Sequence, residues 1–142
     1  MPPADEGYPT WLPLPALAAG PRVLLPHNSP GFLKYQLARV PPLGRASAAR
    51  DHYVGRWVRW SGTVQNVTWG GVLYTVLVAH ARFGMGEDYV HLKIPQAQRG
   101  TIEHLCRGHQ ITYEAQIVDV DSTPIVLVRA EILSSTGASS SL

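Results

Sequence analysis

The sequence predicts an all-β fold with one short helix, a five-stranded barrel preceded by a Pro-rich N-terminal arm. Three observations lead there. Period-two alternation begins at Arg56 and returns in later runs, the mark of half-buried strands. One run near helical spacing separates the third strand from the fourth. Proline is concentrated ahead of all of them: eight of the 12 lie in the first 31 residues, with two more at Pro41 and Pro42. That density fixes φ, removes amide donors and disfavours central strands. At 142 residues, 45% of them apolar, the chain suffices for one core plus an extension.

The arm, residues 1–52, reads as extended with one or two short helices: SPGFLKYQLARV, and the Ala-rich GRASAARDHYVG stopped by Gly55. Its apolar residues, among them Trp11, Leu14, Leu17 and Leu24, are too many for a solvated linker. The arm should therefore pack across the barrel, with Trp11 as its anchor. The barrel spans residues 53–133. In RWVRWSGTVQNVTW, Val58, Trp60, Gly62 and Val64 share the face to be buried, and Gly62 suggests a bulge or bend. Trp57 has the opposite phase and is placed to stack on Arg59 or on the arm. VLYTVLVAH, the second strand, is apolar in both phases, with Val72, Val76 and Val78 on one side and Leu73 and Leu77 on the other. Its outer face should be covered, by the arm or by a partner. DYVHLKIP, the third, turns Val90, Leu92 and Ile94 inward and Tyr89, His91 and Lys93 outward. QAQRGTIEHLCRG is the helix, with Ala97, Ile102, Leu105 and Cys106 inward and Gly108 as its stop. HQITYEAQIVDV and PIVLVRAEIL, joined by the turn-forming DSTP, complete the strands, and residues 134–142 read as a disordered tail. Three strands, a helix and two strands, with a long glycine-kinked first strand, is the OB-fold order, in which the helix plugs the barrel's open end.

Within that frame Tyr53, Gly55, Arg56, Val58, Gly62 and Val64 follow the first-strand pattern of the bacterial anticodon-binding-like (tRNA_anti-like) OB-fold domains. Leu105, Gly108 and His109 follow the entry to their fourth strand. Residues 53–133 thus resemble that family. The resemblance implies a bacterial binding domain that takes oligonucleotides, oligosaccharides or proteins on strands two and three, between the loops joining strands one to two and four to five.

The chemistry of the residues points the same way. Twelve Lys and Arg stand against ten Asp and Glu, and within residues 54–133 the count is seven against seven, so the barrel is neutral and releases few counterions on a phosphate backbone. A partner protein, or a second copy, is therefore the favoured occupant, and single-stranded DNA or RNA the alternative. The expected binding residues are Trp69 in the first loop, Tyr74 on the second strand, Arg82 in the following loop, and Tyr89, His91 and Lys93 on the third strand. A small enzyme ranks last. His104, Cys106 and His109 lack the spacing and the fourth ligand of a zinc site, so Cys106 reads as a small buried apolar residue, and His80 as a satisfied, partly buried one. No paired carboxylates or phosphate-cradling glycine loop stand out, and no catalytic residue, metal or cofactor is expected. A single cysteine and no secretory pattern suggest a cytoplasmic protein, and no apolar run is long enough for a spanning helix.

Overall fold

Five strands close into a barrel in the order β1-β2-β3-β5-β4, where β1 is Trp57–Trp69, β2 Leu73–Ala81, β3 Glu87–Pro95, β4 Gln110–Asp119 and β5 Ile125–Thr136. The computed structural model describes residues 7–17, 21–81, 86–120 and 124–136. All neighbours are antiparallel except β3 and β5, which pair in parallel through Val90–Ile125, His91–Val126 and Leu92–Leu127. β1 serves two partners, β4 along residues 57–63 and β2 along residues 63–69. Alternation accounts for the core: Val58, Trp60, Val64, Val76, Val78, Val90, Leu92 and Ile94 are at most 1% exposed, joined by Ile111, Tyr113 and Ile117 of β4.

Two helices precede the barrel. α1, Pro30–Ala38, starts where Ser29 accepts a hydrogen bond from Phe32 N at 3.2 Å and Pro30 supplies a preset φ. α2, Pro42–His52, again begins on proline and carries Arg50 and His52 in its last turn, favourable for the helix dipole. Leu33, Leu37 and Ala49 from these helices join the barrel's own core cluster.

The extended part of the arm lies on the β1–β4–β5 side. Leu24 bridges to Trp57, whose carbonyl accepts Leu25 N at 2.8 Å. Arg22 stacks 4.1 Å above the Trp57 ring and pairs with Glu114 and Glu131, both at 2.9 Å. Gln116 donates to Ala16 O, and Arg129 to Pro15 O and to Gln116. The Tyr8 hydroxyl donates to Lys93 O at 2.9 Å and accepts Arg129 N at 2.6 Å, tying β3 to β5 beyond their short ladder.

Several expectations need correction. The bulge in β1 falls between Val64 and Asn66, after Gly62. Gly62 instead permits close approach: a Cβ there would lie 2.6 Å from Val78 Cγ1 and 2.7 Å from Ala79 O. The segment after β3 is a 3-10 turn, Gln96–Gln98, and one α-helical turn, α3, Arg99–Ile102, because neither start has a side-chain cap. Ile102 and Leu105 still enter the core, but Ala97 and Cys106 are exposed. Trp11 is 71% exposed; Tyr8, Pro15 and Arg22 make the arm's contacts instead. Val72 stands outside β2 and is half exposed, since Gly71, at φ +92°, turns the chain there. Residues 134–136 continue β5 against residues 110–112. The rest of the expected tail, Arg82 and most of the DSTP turn lie outside the described residues.

Candidate binding groove

Residues opposite one another in an antiparallel pair share a face, so the ladders sort the expected binding residues. Tyr89 lies opposite Ala79, His91 opposite Leu77 and Lys93 opposite Thr75, all in the phase that points away from the core. Trp69 pairs with Tyr74, and Tyr74 with Ile94, in the phase of the core residues Val76 and Val78. The bulge causes this split: before it the even residues of β1 face inward, after it the odd ones do. Trp69 and Tyr74 therefore form a pair of their own near the β1–β2 turn, with ring centroids 4.5 Å apart. Tyr74 packs on the core, and Trp69 is 46% exposed.

On the outer face a groove of about 770 Å³ opens beside the bulge. Residues 65–67 of β1 form one wall, Leu77 and Tyr89 line the β2–β3 side, and residues 105–107 form the other wall. That last segment is positioned by Gly108, whose φ of +96° turns the chain so that Gly108 N donates to Val64 O and His109 O accepts Val64 N, both at 2.8 Å. Of the expected residues that are described, only Tyr89 enters the groove, and its hydroxyl donates to Glu87 at 3.2 Å, a bond that raises the Tyr89 pKa. His91 and Lys93 continue along the same face. Lys93 Nζ donates to Thr75 Oγ1 at 2.9 Å, and partial burial, with Lys93 nearby, lowers the His91 pKa, so the ring is neutral at pH 7. Among the described residues, Arg107 is the single charge in the lining.

Sequence reasoning missed residues 65–67 and 105–107. One signal was available: the apolar phase of β1 slips from Val58, Trp60 and Val64 to Val67 and Trp69, which marks the bulge. Nothing comparable announces the 105–107 wall, which depends on contacts across the fold. Among the described residues, none of the arm lines this groove. The extended arm meets β3 at Lys93–Pro95, where a Cβ on Gly7 would fall 2.7 Å from Pro95 Cβ, and α1 meets it at Asp88, where a Cβ on Gly31 would fall 2.7 Å from Oδ2.

A second cleft, about 620 Å³, lies between arm and barrel and is lined by Arg22, Arg56, Trp57, Arg129 and Glu131, among others. Its cations are largely committed: Arg22 to Glu114 and Glu131, Arg129 to Gln116 and Pro15. Glu114, held by Arg59 and Arg22, has its pKa lowered by these bonds.

No family model and no curated protein matches the sequence. Among solved structures, a proposed nucleic acid-binding lipoprotein from Klebsiella pneumoniae subsp. pneumoniae MGH 78578 superposes with a TM-score of 0.51 at 21% identity, over 71% of this chain and 88% of that one. The OBody AM3L09 bound to hen egg-white lysozyme aligns with a TM-score of 0.44 at 18% identity, over 69% and 92% of the two chains. The likeness to the Klebsiella structure concerns the fold alone, which in this chain is a closed, OB-like barrel of five strands.

Proposed function

We propose that the chain is a non-catalytic binding module that docks a partner protein on the outer face of β1, β2 and β3. One observation carries the reading: among the described residues this face holds an open groove with half-buried Leu77, exposed Tyr89 and one charge, while the extended arm runs along the β1–β4–β5 side. A lightly charged, partly apolar groove of this size suits protein side chains better than a phosphate backbone, whose affinity comes from several neutralised phosphates. The test pans a library of random linear peptides on the immobilised protein and titrates the protein with an oligothymidylate at low salt. Peptides should be enriched on the wild type and lost on Leu77→Glu, and the oligothymidylate titration should be flat. Tight, salt-sensitive oligothymidylate binding with no peptide enrichment would overturn the reading.

Single-stranded nucleic acid is the second reading. The exposed Trp69 beside Tyr74 offers a surface on which a base could stack. The resemblance to anticodon-binding-like domains and the name of the Klebsiella neighbour lend it support. On that reading Trp69→Ala weakens oligothymidylate binding, and added salt weakens it further.

A further inference from the structure

Past Val64, β1 pairs with β2 alone among the described residues. Its register with β4 ends at Thr63, and the last links on that side are the two bonds between Val64 and the Gly108–His109 backbone. The hairpin then determines which groups face outward. Gly70 N donates to Leu73 O at 2.9 Å, and hydrogen-bonded pairs alternate along an antiparallel ladder. Asn66 and Thr68 therefore turn their amides and carbonyls to β2, while Val67 and Trp69 turn theirs away. The Val67 amide is held by the side-chain oxygen of Asn66 at 3.0 Å, a local bond in place of a strand partner.

This backbone edge borders the groove described above, with residues 105–107 as the facing wall. Residues 66–69 span about 13 Å at strand rise, enough for a short ladder. A slot walled on both sides admits one extended chain but not the rim of a second barrel. With Arg107 as the single charge among its described residues it gives little hold on a polyanion.

We propose that an extended segment of a partner polypeptide adds to β1 as a further strand, bonding to the backbone of Val67 and Trp69 and laying alternate side chains against Leu77 and Leu105. The proposal rests on the groove reading above and specifies its mode of recognition: main-chain bonds give affinity, and the groove gives side-chain preference. The Asn66 cap protects an edge that would otherwise invite indiscriminate pairing, and it is released when the partner's carbonyl arrives.

The probe is a peptide enriched by the panning experiment, added to saturation while amide hydrogen exchange is followed by NMR. Exchange at Val67 and Trp69 should slow by about tenfold or more, the effect of one well-made hydrogen bond. Val67→Pro, which deletes the edge donor without touching the β2 ladder, should weaken the peptide by a similar factor. Because Val67 also packs on the core, Asn66→Ala serves as the second variant: it frees the same amide, so exchange at Val67 should quicken in the free protein and slow again when the peptide binds. A peptide that binds without slowing exchange at either amide, in the wild type or in Asn66→Ala, overturns strand addition and leaves the groove reading standing. Slowing that appears without peptide as protein concentration rises would assign the edge to a second copy and overturn the proposal. Failure of any peptide to enrich overturns both.

Discussion

His80 is 3% exposed, with both ring nitrogens engaged: Nδ1 donates to Ser61 O at 2.9 Å, and Nε2 accepts the Tyr113 hydroxyl at 2.9 Å. Burial lowers its pKa to about 4, against the smaller opposing effects of the Ser61 bond and the Asp88 charge. The unfolded chain titrates this histidine near 6.5, so between pH 6.5 and 4 the unfolded state binds more protons than the native state. The stability contributed by the neutral ring is complete above 6.5 and is lost on acidification through that window, on the order of 3 kcal/mol. Urea midpoints at pH 7.5 and 4.5 check this, because His80→Gln should lose less stability over the same interval. Gly62→Ala should cost about 1–3 kcal/mol, since its new methyl meets the β2 backbone, and thermal melting reads that loss. At this scale the sequence discloses residues governed by period alone. Val58, Trp60 and Val64 are buried as alternation requires, and Trp57 stacks with the arm as its phase suggests. Cys106 and Trp11 were misread because their exposure depends on where a loop and an arm happen to lie, which hydrophobicity does not encode.

Among the elements, β5 departs furthest from a regular strand. Arg129 has φ +54°, rare for a residue with a side chain, just past the end of β5's pairing with β3 and inside the bulge that shifts its ladder with β4 between Val128 and Glu131. The arm stabilises that kink: Tyr8 accepts the Arg129 amide, and Pro15 accepts its guanidinium. Tyr8→Phe removes the link from Lys93 O to Arg129 N and should cost about 1 kcal/mol, with faster amide exchange at Arg129. Deleting residues 1–28 spares the Ser29 cap of α1 but uncovers Trp57 and Gln116. The truncated protein should melt earlier and self-associate in light scattering. A truncated protein that stays monomeric with an unchanged melting temperature would show that the arm is dispensable. The strands and their order are legible from alternation and turn residues, whereas the helix after β3 is shorter than its spacing implies, because uncapped starts and Gly100 leave it one turn.

At the scale of the molecule, the two sides of the barrel are unequal. Among the described residues, the extended arm closes the β1–β4–β5 side with ion pairs and carbonyl bonds, and the β1–β2–β3 side remains open around the groove. Apolar residues in both phases of β2 disclose that its outer face is partly buried, but not which part of the chain lies near it. That depends on where the arm crosses, a matter of long-range geometry. Of the five expected binding residues that are described, Tyr89 lines the groove, His91 and Lys93 flank it, and Trp69 and Tyr74 belong to the other phase. Alternation could not reveal that separation without the position of the bulge. The free thiol of Cys106 is exposed in the groove wall and makes a built-in reporter. The most direct measurement is the rate at which a thiol reagent labels Cys106 with and without a saturating panned peptide. Labelling should be fast in the free protein and slow by about tenfold when the groove is filled. A peptide that binds tightly while Cys106 reacts at its free rate would place recognition elsewhere on the barrel.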